Sequence, residues 1–246
     1  MKKTIGNLFR WQPTRDTLVA AAVGVVVFLL SWGMIPTRNI PWLNIILRDE
    51  LMIFLAGIAF PLWYMRRNKE DLADFGLTWK RWYIYLPINL VLGSLLLTMF
   101  LNDVPLPADF RLDASVLWRM LFIMIAGVFE VVVFYAFQRT YFERAFGIIP
   151  AILLAAAFYS FHHIGFQPEY GKLIMVGILY ALIFRLGNSA LLIYPFFWGV
   201  GGCYDVLVQS QVVSEFVFPG WRSGILIVLL AVVLPLALKR RMRQEE

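Results

Sequence analysis

Cysteine is nearly missing from this sequence: Cys203 is the only one in 246 residues. That excludes an intrachain disulfide and any cysteine-built zinc site. Histidine is almost as scarce, and His162 and His163 are the only two, so all imidazole chemistry must come from one dipeptide. Charge is thin as well. Lys, Arg, Asp and Glu make up 15% of the chain, against about 25% in an ordinary soluble domain. No internal repeat, low-complexity tract or linker stands out. The apolar stretches run continuously instead of alternating with polar residues, which argues against a membrane β-barrel.

Apolar residues fill the space. They make up 61% of the chain, and the mean hydropathy is +0.73. A helix needs about 20 such residues to cross the hydrocarbon of a bilayer. Eight stretches approach that length: about 17–36, 49–65, 82–101, 115–142, 148–166, 172–186, 189–208 and 222–239. The expected fold is therefore all-α, a polytopic transmembrane bundle of about eight spans forming a single membrane domain over 1–246. The first apolar run follows a basic segment. It is long for a signal-peptide core and has no small-residue cleavage site behind it, so it reads as a retained span. The sixth stretch is short and has to be tilted, re-entrant or covered by protein.

The basic residues set the expected orientation. With the amino terminus inside, 16 of the 22 Lys and Arg residues fall on the inner side and 6 on the outer. An even number of spans then returns the carboxyl terminus to the cytoplasmic side too. This distribution accounts for the net charge of +6 without any nucleic-acid partner. Trp11, Trp42, Trp79, Trp82 and Trp221 fall near the proposed boundaries, as interfacial anchors do. In the inner loop, Leu72, Phe75 and Leu77 oppose Glu70, Asp71 and Asp74, a pattern suited to lying on the membrane surface.

One acid stands out within the apolar runs. Glu130 lies in MLFIMIAGVFEVVVFYAF, with no other charge in that stretch. A charge at mid-bilayer costs about 2.5–3.5 kcal/mol on insertion scales, so it marks a functional site by default. If the fourth and fifth spans form an antiparallel pair turning near Phe146 and Gly147, positions summing to about 292 share a depth, and Glu130 with His162 does so. A carboxylate and an imidazole at one depth can hold and activate a water, the carboxylate as general base and the imidazole as orienter or acid. On a regular helix His162 and His163 point about 100° apart, so only one is expected to face Glu130. Tyr135, five residues beyond Glu130, is offset by about 140° and is a weak direct partner. The same residues are compatible with a hydrogen bond that only fastens two helices, or with a proton or ion relay. With no H-E-x-x-H sequence, a zinc site is the weaker expectation.

Three segments resemble a known family. FEVVVFYAFQRTYFERAFG, AAAFYSFHHIGF and GILYALIFRLGNSALLIYPFFWGVGGCYD are similar to the three core motifs of the CAAX-protease and bacteriocin-processing family, the Abi-type membrane proteases. DLADFGLTWKRW resembles the short segment common upstream of that core, so the likeness covers about residues 70–206. It implies an intramembrane endopeptidase in which a glutamate activates water, with no cofactor, acting on a peptide or membrane-anchored protein substrate. By position, Glu130 corresponds to the water-activating glutamate, and Phe158 and His162 match the F-x-x-x-H motif. Val131 stands where the family has a second glutamate and Tyr135 where it has an arginine. No histidine follows His163, and Asp205 stands for the last acidic or amide position, with Gly201 where a histidine belongs. Trp198 and Tyr204 carry side-chain donors that can substitute for the missing oxyanion support. His163, Tyr135, Trp198, Tyr204 and Asp205 are thus the supporting candidates. The missing motif residues are the evidence for the alternative, a non-catalytic member acting as a membrane binding, immunity or partner-stabilising protein. The setting resembles a prokaryotic plasma-membrane protein.

Overall fold

The computed structural model describes residues 7–167 and 169–216. Among the described residues every regular element is helical. Helix α1 (Arg15–Thr37) opens on a capping box in which Thr14 and Thr17 satisfy each other's backbone N–H. Helix α2 runs over 41–67, starting at Pro41 and passing through a π-helical stretch, Ile46–Ala59. Helices α3 (Trp82–Asp103) and α4 (Ala114–Phe146) follow. Helix α5 (Ile148–Phe161) tightens into a 3-10 turn at His162–Gly165. Helix α6 (Tyr170–Gly187) and helix α7 (Phe196–Gln209) complete the described set.

Among the described residues, five helices are long and apolar enough to cross a membrane: α1, α3, α4, α5 with its 3-10 turn, and α6. They correspond to the expected spans at 17–36, 82–101, 115–142, 148–166 and 172–186. The sixth expected span is fuller than its apolar run suggested, at 18 residues. The stretch expected at 49–65 lies in α2, whose helix also carries Arg48, Asp49 and Glu50. The stretch expected at 189–208 is broken. A 3-10 turn, Ala190–Leu192, precedes α7, whose 14 residues reach about 21 Å at 1.5 Å each. The segment at 222–239 lies outside the described residues.

Helix α4 is the central post. Every residue from 129 to 143 is buried, as expected of a helix that is apolar all round and enclosed by others. Its middle, Val131–Gln138, widens into a π-helix directly after Glu130. Neighbouring helices instead turn large apolar side chains outward: Val25, Val26, Leu29 and Trp32 on α1, and Leu90, Val91 and Leu95 on α3. Apolar surface of that extent facing out is what a lipid solvent allows and water does not.

One end of the bundle gathers the basic residues. There the segment before α1 hydrogen-bonds to the α4–α5 turn, from Arg10 N to Phe146 O and Gln12 N to Ala145 O. The two oxygens of Glu143 take bonds from Arg139 Nη1 at 3.0 Å and from Arg185 Nε and Nη2 at 2.9 and 3.0 Å. Arg139 continues to Asn188 Oδ1, and the Asn188 amide reaches the carbonyls of Ala73 and Asp74. Asn188 is therefore a cap, in left-handed geometry at the end of α6.

This knot also corrects the reading of the inner loop. Phe75 is fully buried against Tyr141, with ring centroids 5.2 Å apart, and Gly76 O accepts from Ala190 N. The loop's carbonyls find their partners on the protein, so it docks on the bundle end instead of lying along the membrane surface.

Candidate functional site

The α4–α5 hairpin turns at Gly147, whose φ of +87° suits glycine. The hairpin brings Glu130 and His162 together: Glu130 Oε1 lies 3.4 Å from His162 Nε2. His163 is there as well, its Nε2 3.8 Å from the same oxygen. All three residues are buried. The expectation that only one imidazole could face Glu130 is thus overturned. It assumed regular α-helix spacing, whereas the chain at His162–Gly165 is a 3-10 turn. Both Nδ1 atoms point to one acceptor, the carbonyl of Tyr159, at 2.5 Å for His162 and 2.8 Å for His163. Carbonyls in the last turn of a helix are the ones available to side-chain donors. That shared anchor rotates the two rings to within 3.9 Å of each other, centroid to centroid.

The second oxygen of Glu130 is held from the opposite side. Trp198 on α7 donates its indole N–H to Oε2 at 2.8 Å. The ring fits there because Gly127, one turn before Glu130, has no side chain. A Cβ on Gly127 would stand 2.3 Å from the indole. The carboxylate is therefore held by an N–H donor on one side and faces two imidazoles on the other, and it borders a cavity of about 150 Å³. That cavity is lined by Glu130, Tyr159, His163, Tyr180 and Trp198 at its inner part, and by Gln167, Lys172, Asp205 and Gln209 toward the end of the bundle away from the basic knot.

The other expected residues fall into two groups. Tyr204 and Asp205 line the cavity, but Tyr204 stacks on Phe100 with centroids 4.2 Å apart and donates to Ser214 O. Tyr135 is fully buried among Tyr159, Tyr180 and Phe184, and its hydroxyl has no hydrogen-bond partner among the described residues. Tyr159 was missed from sequence. Its position three and four residues before the two histidines, on one helix, is the signal that could have found it.

The donor chemistry of the cluster is specific. A carbonyl only accepts, so each imidazole carries its hydrogen on Nδ1 toward Tyr159, and in the neutral ring Nε2 presents a lone pair. Two such lone pairs and a carboxylate oxygen lie within 4.8 Å of one another. The arrangement can accept hydrogens from a water or hold a cation. No family model, curated protein or solved structure matches this chain.

Proposed function

We propose that the protein is an intramembrane endopeptidase in which a water beside Glu130 attacks a peptide bond near the membrane. The observation that carries this reading is the Glu130 carboxylate, buried at mid-helix, fixed by Trp198 and facing His162 and His163 at the edge of a cavity. A water there donates one hydrogen to Glu130 Oε1 and one to an Nε2 lone pair. As its oxygen bonds to the scissile carbonyl carbon, Glu130 takes the proton and later delivers it to the departing amine. The resemblance to the CAAX-protease and bacteriocin-processing motifs supports the same assignment. The substrate is a peptide or membrane-anchored protein that enters by the cavity mouth.

In this reading the bundle has about eight spans in a cell membrane, with both termini cytoplasmic. Of the 15 described Lys and Arg residues, ten lie toward the end that carries the Arg139–Glu143–Arg185 knot and five toward the other. That asymmetry supports an inward-facing knot and an outward-facing cavity mouth.

Glu130→Gln and His162→Ala, each in purified protein reconstituted in lipid, test the reading against membrane-anchored peptide substrates. Turnover should vanish in both, and turnover that persists in both sinks the proposed pair. A second reading, a non-catalytic binding or partner-stabilising member of the same fold, is favoured by Val131 and Tyr135 in the places of the family's glutamate and arginine. Under it the two substitutions change stability or partner capture, and no cleavage occurs at all.

A further inference from the structure

We propose that Glu130, His162 and His163 bind a divalent transition-metal ion, zinc above all, at the inner end of the cavity. The argument begins with counting. Three acceptor atoms converge, while one water brings only two hydrogens, so any water leaves one lone pair unanswered. His162 Nε2 is buried and has no hydrogen-bond partner among the described residues. A single cation answers all three at once.

The distances agree. Two ligands each about 2.0–2.1 Å from a tetrahedral zinc stand about 3.3–3.4 Å apart. Glu130 Oε1 lies 3.4 Å from His162 Nε2 and 3.8 Å from His163 Nε2, and the three residues' ligand atoms lie within 4.8 Å of one another, so the carboxylate edges are close to the tetrahedral span and the two imidazoles draw together on binding. The outer support is also in place. Each imidazole is tied through Nδ1–H to a backbone carbonyl, and the remaining carboxylate oxygen is held by the Trp198 indole. Such partners orient metal-bound imidazoles and carboxylates. Two imidazole nitrogens with one carboxylate suit zinc and its transition-metal neighbours, whereas calcium and magnesium take oxygen ligands. Three protein ligands leave a fourth position, and Glu130 and His163 both border the cavity from which a water or a substrate carbonyl can fill it.

The ion site stands whether or not hydrolysis follows. Where it does, the ion supplies the water activation assigned above to the carboxylate alone, and the expectation of a cofactor-free enzyme is replaced.

The test uses the full chain purified in detergent, loaded with zinc and freed of excess. It should retain about one equivalent per chain, as a three-ligand site does. His163→Ala and Glu130→Gln should each reduce this to about a tenth or less, as loss of a ligand from such a site implies, while Cys203→Ser keeps it. Cobalt(II) in the unaltered protein gives a readout independent of variant folding. The visible absorption of four-coordinate cobalt should appear without a thiolate charge-transfer band, and zinc should displace it. Failure of the unaltered protein to retain either ion overturns the proposal, as does retention undiminished in both variants. Protein that retains neither ion yet cleaves peptide in a Glu130-dependent way removes the ion and leaves the peptidase. Protein that binds the ion but never cleaves does the reverse.

Discussion

Trp198 and Glu130, 68 positions apart in sequence, are joined by one 2.8 Å hydrogen bond that runs over the bare backbone of Gly127. The indole N–H is the carboxylate's anchor on the side away from the histidines. Three helices therefore meet at one acid: α4 supplies it, α5 its imidazoles and α7 its N–H donor.

Trp198→Phe keeps a smaller aromatic ring and removes the donor. A hydrogen bond to a charged group contributes about 1.5–3 kcal/mol, so turnover should fall about tenfold to a hundredfold, at 1.36 kcal/mol per factor of ten. Gly127→Ala should do comparable damage by pushing the indole away, with about 1–3 kcal/mol of lost stability from overpacking. Peptide turnover and thermal melting of the two variants check this together. Unchanged turnover in Trp198→Phe would remove the indole from the site.

Tyr135→Phe should have the opposite character. Its hydroxyl is buried with no hydrogen-bond partner among the described residues, and leaving a buried donor unsatisfied costs about 1–3 kcal/mol. Deleting the hydroxyl should hold or raise the melting temperature and leave turnover intact. A fall in turnover at unchanged stability would give Tyr135 a role that its position does not suggest.

The basic knot should be structural. Glu143 binds Arg139 and Arg185 where all three are buried, and removing one member of such a set costs about 3–5 kcal/mol. Glu143→Ala should therefore unfold at markedly lower temperature. Raising the salt should not mimic the loss, because screening acts on exposed pairs far more than on buried ones. A melting curve of the unaltered protein that drops steeply with salt would contradict this.

The side from which the cavity opens can be read with a single introduced thiol. In a Cys203→Ser background, Gln209→Cys and Gln167→Cys should react with a membrane-impermeant maleimide added outside intact cells. A cysteine at Lys69, in the loop beside the knot, should react only after lysis. The reverse pattern would invert the orientation inferred from the basic residues.

Part of the site was legible before any coordinates. Gly147 after Phe146 marks a turn between two apolar runs, and two antiparallel helices of equal rise then place residues at a fixed sum of positions side by side. That arithmetic needs no packing information, and it brings Glu130 to His162. His163 was misjudged for a local reason: a fixed 100° step fails where the helix tightens into a 3-10 turn and both rings seek the same carbonyl. Tyr135 was judged a weak partner on α-helical spacing although the chain there is a π-helix, and it makes no hydrogen bond to Glu130.

Composition and the run lengths of apolar residues determined that the chain is helical and able to span a membrane, because unpaired backbone is intolerable in hydrocarbon and these runs leave few other solutions. They also exposed Glu130, since a lone charge in such a run is costly and marks a site by default. Only the tertiary structure decided which groups surround it. Trp198 reaches the acid because α7 packs over a glycine on α4, and the loop at Phe75 folds onto the bundle end because its carbonyls find donors there. Contacts of that kind depend on the shapes of surfaces far apart in sequence, and periodicity along one helix carries no record of them.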